Sequence, residues 1–118
     1  MGLPASIRLR HWKDFQTVYK QGRRYRGMGL LLRVQEDSNQ APSCWGITVS
    51  QKVCKQAVGR NRIKRQIRGV ILTLLPRFSS GFKVVIVVLP QATLYKYEHF
   101  LRELEKLCKQ AGIIPYGH

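Results

Sequence analysis

The sequence predicts an α/β fold of the α+β sandwich kind. It has one domain and the element order α-β-β-α-β-α, with room for one extra short strand. Three observations predict it. Apolar residues recur at helical spacing in three segments, and two short segments alternate between apolar and polar. Val84-Val85-Ile86-Val87-Val88 is an unbroken aliphatic run. Such a run reads as a strand buried on both faces, which needs other layers packed against it. At 118 residues the chain supports one modest core. The domain is expected to span residues 1–118, with less ordered ends near 1–8 and 112–118.

The first helix is predicted over residues 11–21, where Trp12, Phe15 and Tyr19 share a face and Gly22 sits at the C-cap position. Arg23-Arg24-Tyr25-Arg26-Gly27, followed by Gly29, reads as a basic, flexible connection. Strands follow at 30–35 and 44–50, joined by the polar loop 36–42, so an antiparallel pair is expected. Leu30, Leu32 and Val34 would share a core face with Trp45, Ile47 and Val49. Leu31, Arg33 and Gln35 would lie with Gly46, Thr48 and Ser50 on a second, small and polar face, free to hold a ligand without a covering helix. A long helix is predicted over 55–75 and stopped by Pro76, the buried strand over 82–89 and stopped by Pro90. The last helix covers 95–110, with Tyr97, Leu101, Leu104 and Cys108 inward and Glu103 and Glu105 paired outside with Lys106 and Lys109.

The second helix is chemically unusual. Arg60, Arg62, Lys64, Arg65 and Arg68 put five cations into nine residues. On a helical wheel Ile63, Ile67, Val70 and Leu74 form one face, with Asn61, Arg62, Arg65 and Arg68 opposite. Arg60 and Lys64 lie nearer the apolar border. No carboxylate lies between Val53 and Pro76 to offset the like charge. The formal net charge is +15, and the stretch from Ser38 to Tyr97 contains no acid at all. A solvated surface face would mix signs. This pattern implies a polyanionic partner and salt-dependent binding. A membrane surface fits less well, because the apolar face of the basic helix lacks Trp and Phe.

The residues offer no catalytic constellation. The six acids are mostly on a loop and the last helix, which is too scattered for a metal-dependent nuclease. His11, His99 and His118 have no partner at a motif spacing, and Thr48 and Ser50 lack a His/Asp set. No phosphate-cradling glycine loop is present. Cys44, Cys54 and Cys108 give neither a disulfide framework nor a metal pair, so buried thiols in a reduced, cytoplasmic protein are expected. No signal peptide or membrane span is read.

Gly46-Ile47-Thr48-Val49-Ser50-Gln51-Lys52, then Arg60-Asn61-Arg62-Ile63-Lys64-Arg65-Gln66-Ile67-Arg68, closely resembles the bacterial ribonuclease P protein subunit family. The segment Asp14-Phe15-Gln16-Thr17-Val18-Tyr19-Lys20-Gln21-Gly22 fits that family's first helix, and the resemblance runs over roughly residues 9–110. It implies a left-handed β-α-β crossover, an exception to the general right-handed rule. It further implies an endoribonuclease subunit bound to a large catalytic RNA. That complex removes the 5′ leader of precursor tRNA by Mg²⁺-dependent hydrolysis, with the catalytic centre and most of the Mg²⁺ binding in the RNA. The implied partners are the catalytic RNA and precursor tRNA, with no membrane and no obligatory protein partner.

Carried over, Arg60, Asn61, Arg62, Lys64, Arg65 and Arg68 contact the catalytic RNA and support nearby metal binding. Phe15, Tyr19, Arg33, Thr48, Ser50 and Lys52 form the leader cleft, where rings stack on unpaired bases and cations track the backbone. Plain core packing is the other reading of Phe15 and Tyr19. The chain departs from the family's usual pattern at Arg33, often aromatic, and at Val88-Leu89, often basic. The rival class is a structural RNA-binding protein, such as a ribosomal protein or RNA chaperone, which needs no aromatic, charge-lined cleft.

Overall fold

The computed structural model describes residues 2–115. In chain order the elements are α1 (Trp12–Gln21), β1 (Arg23–Arg26), β2 (Leu30–Glu36), β3 (Cys44–Thr48), α2 (Ala57–Leu74), β4 (Phe82–Val88) and α3 (Tyr97–Gln110). Short 3-10 turns precede α1, close α2 over Leu75–Arg77 and lead into α3 over Pro90–Leu94. The sheet order is β1-β2-β4-β3. β4 runs antiparallel to β2 and parallel to β3, so β3-α2-β4 is a parallel crossover.

The expected β2–β3 hairpin does not form, because β4 separates the two strands. The reason lies in the aliphatic run. Val84, Ile86 and Val88 point into the main core, while Val85 joins a second cluster on the opposite face. A strand buried on both faces is stabilised most at the centre of the sheet. The basic connection after α1 is strand β1, paired with β2 from Arg23↔Val34 to Arg26↔Leu31.

Helices α2 and α3 cover one face. Ile63, Ile67, Val70 and Leu74 of α2 are buried with Leu30, Leu32, Val34 and Trp45, as the periodicity predicts. Burying each such side chain contributes about 1.5–3 kcal/mol. The second sheet face is not bare. α1 lies on it, and Val18, Leu9, Cys44 and Val85 form a smaller core with Phe15 and Val87 at its margin. Lys83 of β4 borders this packing, 3.8 Å from Asp14 of α1 and 3.6 Å from Asp37 of the β2–β3 loop.

On α3 the inward residues are Phe100, Leu104, Leu107 and Cys108. Tyr97 is not among them. It is 38% exposed and lies against α2, its hydroxyl 2.6 Å from that of Thr73. Glu105 pairs with Arg77 at 2.7 Å and with Lys109 at 3.7 Å. Glu103 does not pair with Lys106: it accepts the backbone N–H groups of Gly29 and Leu30 and the Tyr95 hydroxyl. Near the chain ends Leu3, Ile7, Ile113 and Ile114 are buried in the main core. His118 lies outside the described residues.

Candidate nucleic-acid interface

Helix α2 presents its cations as a graded surface. Asn61, Arg62 and Arg65 are exposed, whereas Arg60, Lys64 and Arg68 are half-buried at the borders of the apolar face. Arg68 thus sits closer to the core than its position on the wheel predicts. Among the described residues, none of these five cations forms an ion pair. Arg60 has a second duty. Its guanidinium donates to the carbonyls of Cys54 and Lys55 at 2.9 and 2.7 Å, clamping the loop that leads into the helix. The first turn of α2 carries no acid, so the positive end of the helix dipole adds to the field.

On the α1 side of the sheet, the register sets residues in rows across the strands. Arg24, Arg33, Val85 and Gly46 form one row, and Arg26, Leu31, Val87 and Thr48 the next. α1 lies over the first. The Phe15 ring rests directly on β3, where a Cβ at Gly46 would meet it at 2.5 Å. Glycine is therefore the residue that lets the ring approach the sheet so closely. Tyr19, one turn later, is 36% exposed. Arg33 donates from its guanidinium to the Tyr19 carbonyl, and its charge centre lies 5.1 Å from the Tyr19 ring centroid. That is a cation–π arrangement.

The second row, with half-buried Leu31, Val87 and Thr48 and exposed Arg26, remains uncovered beside α1. The result is a shallow groove with an aromatic wall and a mixed floor. Phe15 and Tyr19 differ within it: Phe15 is half-buried and belongs to the small core, while Tyr19 faces outward. Ser50 and Lys52 are exposed in the turn after β3, which is closed by the Val53 N–H on the Ser50 carbonyl at 3.1 Å. They lie past the end of β3 rather than on the sheet face.

The two surfaces meet at the β3 edge. A cavity of about 140 Å³ there is lined by Phe15, Gly46 and Ile47 together with Arg8, Lys64 and Arg68. Lys64 and Arg68 therefore border both the basic helix face and the aromatic groove. Sequence reading missed Arg8, whose segment carries no periodic signal. Gly46 was detectable, since a glycine inside a strand pattern signals close approach.

Among the described residues, no three His, Cys, Asp or Glu side chains gather where they could hold a metal ion. Cys44 and Cys108 are buried and Cys54 half-buried, all three as free thiols. Burial pushes the Cys44 and Cys108 thiols upward, away from the nucleophilic thiolate form. The arrangement suits holding a polyanion along a basic helix and an unpaired strand beside an aromatic wall.

The family model described as Ribonuclease P matches residues 3–112. The chain belongs to the ribonuclease P protein family. A relative from Synechocystis sp., named ribonuclease P protein component, is 59% identical over 118 residues, covering 100% of this chain and 95% of its own. The solved RNase P protein of Staphylococcus aureus superposes with a TM-score of 0.83 at 24% identity, over 92% of this chain and 97% of that one. That of Thermotoga maritima gives 0.79 at 22% identity, over 87% and 96%. At those identities the structures speak for the shared fold. Family membership favours the ribonuclease P reading over a ribosomal protein or RNA chaperone.

Proposed function

We propose that this chain is the protein subunit of ribonuclease P. It binds the catalytic RNA through Asn61, Arg62, Lys64, Arg65 and Arg68 of α2, with Arg60 holding the adjoining loop in place. It binds the single-stranded 5′ leader of precursor tRNA in the groove beside α1. The observation that carries this reading is the continuity of the two surfaces at Lys64 and Arg68. One protein can then hold the RNA catalyst and the substrate leader side by side, which reduces the entropic cost of bringing them together.

The proposed activity is endonucleolytic removal of the leader to give the mature tRNA 5′ end. The catalytic centre and its Mg²⁺ belong to the RNA. Among the described residues no ligand set gathers, and the contribution of this chain is to neutralise phosphates and orient the leader. Tyr19 stacks on an unpaired base while Arg33, which touches its ring, offers charge to the backbone. Thr48 lies along the groove floor, and Ser50 and Lys52 extend the path toward α2. The proposed place of work is the cytoplasm. No helix among the described residues is long and apolar enough to cross a membrane.

Binding of precursor and mature tRNA to the assembled protein–RNA complex tests the groove. Tyr19→Ala should leave thermal stability near wild type and remove about 1–3 kcal/mol of the preference for precursor. Phe15→Ala should also weaken that preference. It should in addition lower stability, by less than the roughly 3–5 kcal/mol of a fully buried phenylalanine. A Tyr19→Ala complex that keeps the full wild-type preference would remove the leader from this groove.

A further inference from the structure

A second cavity, of about 600 Å³, lies between the β1–β2 turn and α3, away from the α2 face and the β3 edge. Met28, Tyr95, His99, Arg102, Lys106 and Leu107 are among its lining residues. It is firmly built. One Glu103 oxygen accepts the N–H groups of Gly29 and Leu30 at 2.8 and 2.6 Å, and the other accepts the Tyr95 hydroxyl at 2.6 Å. A Cβ at Gly27 would stand 2.7 Å from Glu103, and one at Gly29 would stand 2.7 Å from the Tyr95 ring. The turn therefore docks directly onto α3, which forms the facing wall of the cavity.

The wall is net cationic, with Arg26, Arg102 and Lys106 set against one acid, Glu103. Both Glu103 oxygens are engaged in these hydrogen bonds. Arg102 and Lys106 are exposed one helical turn apart, and neither forms an ion pair among the described residues. Tyr95 and His99 place their rings 5.4 Å apart, and His99 Nδ1 accepts the Lys96 N–H at 2.9 Å, leaving Nε2 as the free ring nitrogen. Met28 is 76% exposed, an apolar side chain with no covering partner. Aromatic and thioether surface flanked by free cations is what an unstacked base and its phosphates require. A second copy of this chain is a poor occupant, since each carries a formal charge of +15.

We propose that this cavity holds an unpaired nucleotide of RNA, its base against Met28 and the Tyr95–His99 pair and its phosphates toward Arg102 and Lys106. The proposal rests on the reading that the chain binds the catalytic RNA, and it adds a second contact on the opposite side of the sheet from the β3 edge.

The test titrates the full chain with transcribed catalytic RNA at several salt concentrations. Arg102→Ala plus Lys106→Ala should weaken binding about 3- to 10-fold and flatten the salt dependence by up to about one unit of slope per lost phosphate contact. Met28→Ala should weaken binding several-fold at an unchanged slope, because an apolar contact releases no counterions. All three side chains are exposed, so the variants should melt like wild type. Unchanged affinity in both variants overturns the proposal. A loss confined to Arg102→Ala plus Lys106→Ala overturns the nucleotide pocket and leaves a phosphate contact only. Arg62→Ala plus Arg65→Ala runs in parallel. If that pair alone weakens binding, the cavity fails while the α2 reading stands. If the wild-type chain does not bind the RNA, both fall.

Discussion

Glu103→Ala is expected to lower the melting temperature by roughly 10–20 °C, from a loss of about 2–5 kcal/mol. The carboxylate ties α3 to the β1–β2 turn through two backbone N–H groups and one phenol. Gly29 and Leu30 are buried, so removing the acceptor leaves donors that water cannot easily reach. Glu103→Gln keeps one acceptor and should fall between. The same link gives a pH signature. The hydrogen bond to Glu103 pushes the Tyr95 phenol up to about 12, from an ordinary value of 10.0. A raised phenol favours the folded state while it stays protonated. Its contribution is therefore full below pH 10 and is lost as pH rises from 10 toward 12. Thermal melts of wild type and Tyr95→Phe across that window should converge as pH rises. A Glu103→Ala variant melting within about 2 °C of wild type would contradict the assigned role.

Arg62→Ala plus Arg65→Ala should cost the catalytic-RNA complex at least about tenfold in affinity near physiological salt, and up to about two units of salt slope. Both side chains are exposed and make no ion pair among the described residues, so their loss opens no cavity in the fold. Removing two like charges from one helix face should hold stability level or raise it slightly. Filter binding or anisotropy over a salt series, with melts of the free protein, separates recognition from folding. Wild-type affinity and slope in the double variant would refute docking through α2.

How much of this was legible depended on whether a residue's role is set locally. Ile63, Ile67, Val70 and Leu74 announce a buried helical stripe by spacing alone, and all four are buried. The aliphatic run at Val84–Val88 revealed a doubly buried strand. The pairing of strands was not local, however. The polar loop after β2 suggested a hairpin, but β4, more than thirty residues further on, takes the place between β2 and β3. Arg23–Arg26 lacks any apolar alternation, and only the partner edge of β2 makes it a strand. Glu103 looked like one more surface carboxylate because helical spacing says nothing about backbone donors arriving from a distant turn. The basic face of α2 was readable from charge alone. The aromatic wall needed the structure to show that Phe15 serves the small core while Tyr19 faces outward.

The central claim is that one protein surface holds catalytic RNA and leader together. Cleavage of precursor tRNA by a bacterial ribonuclease P RNA at low Mg²⁺, with and without this protein, tests it most directly. The account predicts that the added protein restores 5′ leader removal under conditions where the RNA alone is nearly inactive, and that RNA-free protein cleaves nothing. Cleavage unchanged by the protein, or cleavage by the protein alone, would contradict it.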